Sequence, residues 1–264
     1  MSGSATHEEI ALVTGSTAGI GNAIAAALAR EGATVIISGR SAAAVDAAVS
    51  SMKAATRGDV LGFAGDLSVA AVAESLFQRH PAVDILVNNL GIFEVKPFEE
   101  IADADWQRFF DVNVLSGARL ARLYLPAMRR RNWGRIIFIS SESGYHIPAE
   151  MIHYGMTKAA QIAVARGLAE TTAGTGITVN SVLPGPTRSR GVGDFVAAMA
   201  AKSGRSAQDV EREFFKTARP TSLLQRFATP EEVAAMVTFV ASPLSSATNG
   251  AALRVDGGTI KSAF

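Results

Sequence analysis

A doubly wound Rossmann-type α/β fold, with a parallel sheet of about seven strands flanked by helices, is predicted by three features of the sequence. Short apolar or β-branched runs alternate with longer Ala-rich segments of helical period. The strand runs are apolar almost throughout rather than at every second residue, as in strands buried on both faces. The 264 residues are also enough to bury such a sheet between two helical layers. Residues 10–14 read as the first strand and 20–30 as the helix behind it; 34–38, 42–55 and 60–64 continue as strand, helix, strand. Helix 69–80 and strand 83–88 follow. A long helix is expected over 105–131, then strand 135–140, helix 152–172 and strand 178–183. Helix 230–241 and strand 251–255 complete the pattern. Right-handed crossovers in such a sheet place ligands beyond the carboxyl ends of the strands. Only residues 187–227 leave the alternation. With Gly191, Gly193 and Gly204 beside helical stretches, they read as a substrate-covering segment of the same domain, which spans 1–264.

Composition narrows the function. Lys and Arg number 25 against 24 Asp and Glu, so a formal charge of +1 gives no electrostatic footprint for nucleic acid. Absence of Cys removes disulfides, thiolate metal sites and Cys nucleophiles. Four His without paired carboxylate spacing make no metal site. The first residues, Met-Ser-Gly-Ser-Ala-Thr-His-Glu-Glu, lack the basic and apolar regions of a secretory signal, and no apolar run approaches a membrane span. A cytoplasmic protein with no membrane or nucleic-acid partner is the expectation. The run Arg129-Arg130-Arg131 closes the long helix, where cations meet the helix dipole favourably.

Three motifs fall at strand ends. After the first strand comes Thr14-Gly15-Ser16-Thr17-Ala18-Gly19-Ile20-Gly21, directly before a helix. Its glycines permit a tight turn and close approach of N–H groups to a pyrophosphate, at the positive end of the helix dipole. Tyr154 and Lys158 stand four residues apart on one helical face. A nearby ammonium is expected to lower the tyrosine pKa and fit it for acid–base work; a packed Tyr beside a solvated Lys is the structural alternative. Ser140, Ser141 and Ser143 lie at the end of the strand that precedes this helix, and residue chemistry does not rank them.

Taken together, these motifs resemble the classical short-chain dehydrogenase/reductase family, from about residue 11 to 258, and are similar to its 3-oxoacyl-[acyl-carrier-protein] reductase branch. The resemblance implies Asn113, Ser141, Tyr154 and Lys158 as the catalytic group, the family spacing selecting Ser141. Tyr154 is implied as the proton donor in reduction. Lys158 is implied to tune it and bind the nicotinamide ribose, Ser141 to polarise the carbonyl, and Asn113 to hold a relay water through its backbone. Gly15, Ser16, Thr17, Gly19, Ile20, Gly21, Asp66, Leu67, Asn88, Pro184, Gly185 and Thr187 are implied as cofactor contacts alongside Tyr154 and Lys158. The family's usual Asn-Asn-Ala-Gly is here Asn88-Asn89-Leu90-Gly91, with added bulk near the adenosine side.

At the end of the second strand, Gly39 stands where an acid would accept from the ribose hydroxyl of NAD(H), and Arg40 follows. Arg40 can pair with a 2′-phosphate, so NADP(H) is expected over NAD(H). The expected reaction is reduction of a small carbonyl substrate, a 3-oxoacyl thioester or similar ketone, to a secondary alcohol; the alternatives are a dehydrogenase of a sugar, steroid or other secondary alcohol, and a non-catalytic dinucleotide sensor. The resemblance implies a homotetramer. Glu142, His146 and His153 are expected to line the pocket or lie at the surface. Phe93, Phe98, Phe109 and Phe110 are expected in the core or a subunit interface.

Overall fold

The computed structural model describes residues 9–56 and 58–263. The first eight residues, including the N-terminal stretch read above for a signal, lie outside the described residues. Seven parallel strands form one sheet in the order β3-β2-β1-β4-β5-β6-β7. They are β1 (Ile10–Val13), β2 (Thr34–Gly39), β3 (Val60–Ala64), β4 (Ile85–Asn88), β5 (Gly134–Ile139), β6 (Ile177–Pro184) and β7 (Ala252–Val255). The helices are α1 (Gly19–Arg30), α2 (Ala42–Ala55), α3 (Ala70–Arg79), α4 (Asp103–Phe110), α5 (Ser116–Arg131), α6 (Ile152–Glu170), α7 (Arg190–Ser203), α8 (Ala207–Thr217) and α9 (Pro230–Ala241).

The doubly apolar strands have a direct structural reason. Ala11 and Val13, Val35 and Ile37, and Ile137 and Ile139 point into a core closed by α1, α2 and α9. Their alternates Leu12, Ile36, Ile136 and Phe138 point into a second core under α3, α5 and α6. The strand order reverses between β1 and β4, which opens a crevice at their carboxyl ends.

One expectation is corrected. The helix expected over 105–131 starts at Asp103 and is interrupted by a π-helical turn, Asp111–Leu115, between α4 and α5. Periodicity alone does not reveal one wider turn in an otherwise helical run. The irregular stretch 187–227 holds two helices, α7 and α8, each N-capped by a serine side chain, Ser189 and Ser206. Val196, Val210, Phe215 and Phe227 give this stretch a small core of its own. Its two ends meet: Thr187 and Ala228 form a parallel bridge, with Arg188 N donating to Ala228 O (2.8 Å) and Ala228 N to Pro186 O (2.9 Å).

The basic end of α5 is tied down rather than free. Arg131 pairs with the buried Asp84 at 2.9 Å, and Arg129 donates to Thr171 O at 2.9 Å. Among the described residues, no helix is long and apolar enough to cross a membrane.

Candidate active site

The turn after β1 is shaped by backbone. Gly15 (φ 61°) and Gly19 (φ 58°) occupy the left-handed region. A Cβ on Gly21 would lie 2.4 Å from Asn89 Nδ2 and 2.7 Å from Gly15 O. Asn89 Nδ2 donates to Thr14 O (2.9 Å) and Gly15 O (3.1 Å), while Thr14 Oγ1 accepts from the N–H groups of Asn89 and Leu90. Ser16 is fully buried; its hydroxyl donates to Val13 O at 2.6 Å and accepts from Ser38 N. At Ser16, therefore, backbone rather than hydroxyl is left for a ligand. The N-cap of α1, Ala18, provides no side-chain acceptor, and the first turn carries no acid. Its N–H groups, Ile20 among them, thus suit an anion such as a dinucleotide pyrophosphate.

Along the same edge, Gly39 faces Thr17: a Cβ there would lie 2.6 Å from Thr17 Cγ2. A bulky acid at this position would collide with that methyl group. Arg40 is exposed, and its charge reaches Asp66. The Asp66 carboxyl is held below its ordinary range, chiefly by the hydrogen bond from the Ser68 hydroxyl (2.7 Å) and more weakly by Arg40. Asp66 therefore also organises the turn into α3. Leu67 buries its side chain in the core beneath that helix.

Asn88 is buried with neither amide atom hydrogen-bonded to protein. Its neighbour Asn89, absent from the expected contacts, is the residue that fastens the glycine-rich turn. Leu90 is half-buried and packs against the core under α3 and α5.

The second half of the site follows β5 and β6. Ser140 Oγ donates to Lys158 O (2.7 Å) and thus ties the loop to α6. Ser141 Oγ donates to Glu142 Oε2 (2.5 Å) and accepts from Ser143 N (3.1 Å). Lys158 is buried; its Nζ donates to Ile139 O and Gln161 Oε1, both at 3.0 Å, and lies 5.6 Å from the Tyr154 ring centre. Burial pulls the Lys158 ammonium down to about 7, against the opposing charge of Glu142. Gln161 then donates from Nε2 to Asn113 O at 2.6 Å. This carbonyl sits in the π-helical turn, and the Asn113 side chain clasps Ile92 through both amide atoms and donates to Thr157 Oγ1. Gln161 thus bridges Asn113 and Lys158, a link the sequence reading did not include.

One electrostatic expectation is reversed. The Tyr154 phenol is pushed up from its ordinary value, by burial first and by the Glu142 carboxylate second; a hydrogen bond with Ser141 and the charge of Arg219 oppose this more weakly. Lys158 is directed at a carbonyl and an amide, so its charge does not offset the cost of burying a phenolate.

Pro184 ends β6, Gly185 N donates to Val255 O, and the buried Thr187 donates to Gly185 O at 2.9 Å. These residues form the floor where the chain departs for α7. Phe93 is exposed and meets Tyr154 edge-on with ring centres 6.4 Å apart, whereas Phe109 is fully buried against His153. Glu142 is buried and pairs with Arg219, whose Nε lies 3.1 Å from Oε1.

A parallel sheet of this order, a glycine-rich first crossover and Ser, Tyr and Lys side chains gathered at the ends of β5 and α6 match one family description. The family model for short chain dehydrogenases covers residues 9–203. The chain belongs to the short chain dehydrogenase family. This short chain dehydrogenase is 49% identical over 255 residues to the uncharacterized oxidoreductase YvaG of Bacillus subtilis (strain 168), covering 96% of the chain and 97% of that protein. It is 33% identical to the 3-oxoacyl-[acyl-carrier-protein] reductase FabG of Aquifex aeolicus, over 95% of the chain and 96% of that protein. The crystal structure of L-sorbose reductase from Gluconobacter frateurii, complexed with NADPH and L-sorbose, superposes with a TM-score of 0.91 at 31% identity, covering 97% of both chains. This short chain dehydrogenase is accordingly an oxidoreductase that acts on CH–OH or C=O groups with a nicotinamide dinucleotide.

Proposed function

We propose that the protein is an NADP(H)-dependent reductase that converts a ketone, a 3-oxoacyl thioester or a similar carbonyl compound, to a secondary alcohol. The observation that carries this reading is geometric: the Tyr154 phenol, the Ser141 hydroxyl and the buried Lys158 ammonium, 5.6 Å from the Tyr154 ring centre, gather at the carboxyl end of β5. A phenol is protonated at neutral pH and can give its proton to a carbonyl oxygen that gains negative charge. Ser141 turns its hydroxyl to the same oxygen and stabilises that charge. Lys158 is assigned to the nicotinamide ribose, and Gln161 and the Asn113 carbonyl hold it in place. When bound, the dinucleotide supplies the hydride.

Residues Gly15 to Gly21 suit the pyrophosphate, and Pro184, Gly185 and Thr187 the carboxamide end. Preference for NADP(H) is supported by Gly39, which leaves no acid at the end of β2, and by the exposed Arg40. The NADPH named with L-sorbose reductase agrees with this. Residues 187–227 serve as the substrate cover of a single domain. The homotetramer implied by the resemblance would form through the helical stretch 105–131, α6 and the C-terminal strand β7.

The test is NADPH oxidation with acetoacetyl-CoA and a panel of simple ketones, beside NADH and the Tyr154→Phe variant. Turnover with NADPH is expected, falling about a thousandfold in kcat in the variant while NADPH affinity stays unchanged. A variant that turns over as fast as the parent removes Tyr154 as the acid.

A further inference from the structure

The reduction chemistry above leaves the Glu142 carboxylate unused. Its residue is only 4% exposed, and both of its oxygens are engaged: Oε2 accepts from Ser141 Oγ at 2.5 Å and Oε1 from Arg219 Nε at 3.1 Å. Arg219 arrives from the end of α8, 77 residues away in sequence, with a side chain 11% exposed. It also donates to Ala218 O (2.8 Å) and lies 3.8 Å from Glu150 Oε1. A buried ion pair adds little to stability, because desolvation offsets the attraction. Its placement against the proton-donating pair therefore points to a role in the site.

The count of donors defines that role. Ser141 has one hydroxyl proton, and Glu142 Oε2 now receives it. When Ser141 turns to the oxygen of a substrate ketone, Oε2 is left as a buried, charged acceptor without its donor, which is costly. A donor on the substrate, beside the carbonyl, restores the balance. The two oxygens of an α-hydroxyketone lie about a hydrogen-bond length apart, as do Ser141 Oγ and Glu142 Oε2. We propose that Glu142 is a specificity-determining residue that accepts a hydrogen bond from a hydroxyl adjacent to the reacting carbonyl, so that the preferred substrates are α-hydroxyketones such as ketoses. Arg219 is the positioning residue that keeps the carboxylate aimed. The assignment rests on the reductase reading and narrows it.

The experiment compares kcat/KM for acetoin and its deoxy counterpart 2-butanone, with NADPH, in the parent, Glu142→Ala, Glu142→Gln and Arg219→Met. NADPH binding is followed in parallel by fluorescence. The parent should favour acetoin about a hundredfold, the discrimination of a site that loses a polar partner when the hydroxyl is missing. Glu142→Ala should bring the ratio to within about threefold of unity with NADPH binding retained. Glu142→Gln keeps an acceptor and should hold an intermediate ratio of about tenfold; it decides the matter if the alanine variant does not bind NADPH. Arg219→Met should lower the ratio mainly through a raised KM for acetoin. Equal turnover of the two ketones by the parent, or equal losses on both in the Glu142 variants, overturns the assignment while the reductase reading stands. NADPH binding without turnover of these ketones or of acetoacetyl-CoA overturns both.

Discussion

The turn after β1 and the loop after β5 sit at carboxyl ends of the same sheet but are built from opposite materials. In the first, side chains are used up internally: Ser16 secures Val13 and Ser38, Asn89 secures Thr14 and Gly15, and glycines let the backbone itself face outward. No carboxylate or ammonium enters it between Thr14 and Gly21. The second crowds Glu142, Tyr154, Lys158 and Arg219 together, and the Glu142 charge raises the proton affinity of both Tyr154 and Lys158. A ligand with fixed shape and charge is met by backbone geometry, which tolerates little variation. A reacting centre is met by side chains whose proton affinities depend on distant neighbours. The first kind of site fails through a steric change, the second through an electrostatic one.

Substitutions can break that contrast. Gly21→Ala puts a methyl group against Asn89 and the Gly15 carbonyl, atoms that hold the turn together. We expect a stability loss of about 2–3 kcal/mol and NADPH affinity lowered about a hundredfold, read by thermal melts and titration. Wild-type affinity in this variant would show the turn to be more pliable than its packing allows.

Lys158→Met tests the electrostatic side. Lys158 keeps its proton in the unfolded chain up to its ordinary value of 10.5, but in the folded, ligand-free protein only to about 7. Between these values the unfolded state binds more protons, so this residue's contribution to stability rises with pH and is least favourable below 7. Methionine carries no such dependence. The substitution should therefore be about 2 kcal/mol more stabilising at pH 6 than at pH 9, as seen in denaturant melts at the two values. A difference independent of pH would mean that the buried ammonium is better solvated than its contacts indicate.

The smallest effect is expected at the exposed rim. Arg40→Ala should weaken NADPH binding about tenfold, by about 1.4 kcal/mol, and leave NADH within about twofold. Equal losses for both dinucleotides would remove the 2′-phosphate contact.

The sequence exposes the first region far better than the second. Glycine spacing between a strand and a helix specifies a backbone shape directly, and the doubly apolar strands specify a sheet covered on both faces. The placement of Ser140, Ser141 and Ser143 at the end of β5 and of Tyr154 and Lys158 on α6 follows from the same logic, while the choice of Ser141 among the serines comes from the family resemblance. The π-helical turn at Asn113 escapes it because one wider turn does not disturb the apolar pattern around it. Gln161 reads as one polar residue of a helix until the fold sets it between Asn113 and Lys158. Glu142 stands beside the serines in plain view, but the partner that gives it meaning, Arg219, is joined to it only through tertiary structure. The sign of the Tyr154 shift is missed for the same reason, since it depends on burial and on Glu142 rather than on Lys158 four residues away.

The bridge between Thr187 and Ala228 closes the base of the whole excursion that carries α7 and α8. The chain leaves and rejoins the scaffold at one point, so lengthening or replacing what lies between alters closure entropy only logarithmically. If the segment is the substrate cover proposed above, it is an exchangeable cassette: a relative's stretch, spliced between the two bridge residues, would retarget the enzyme while β1 to β7 stay as they are. Position 219 travels with such a cassette and position 142 does not, so each exchange renegotiates the partner of that carboxylate.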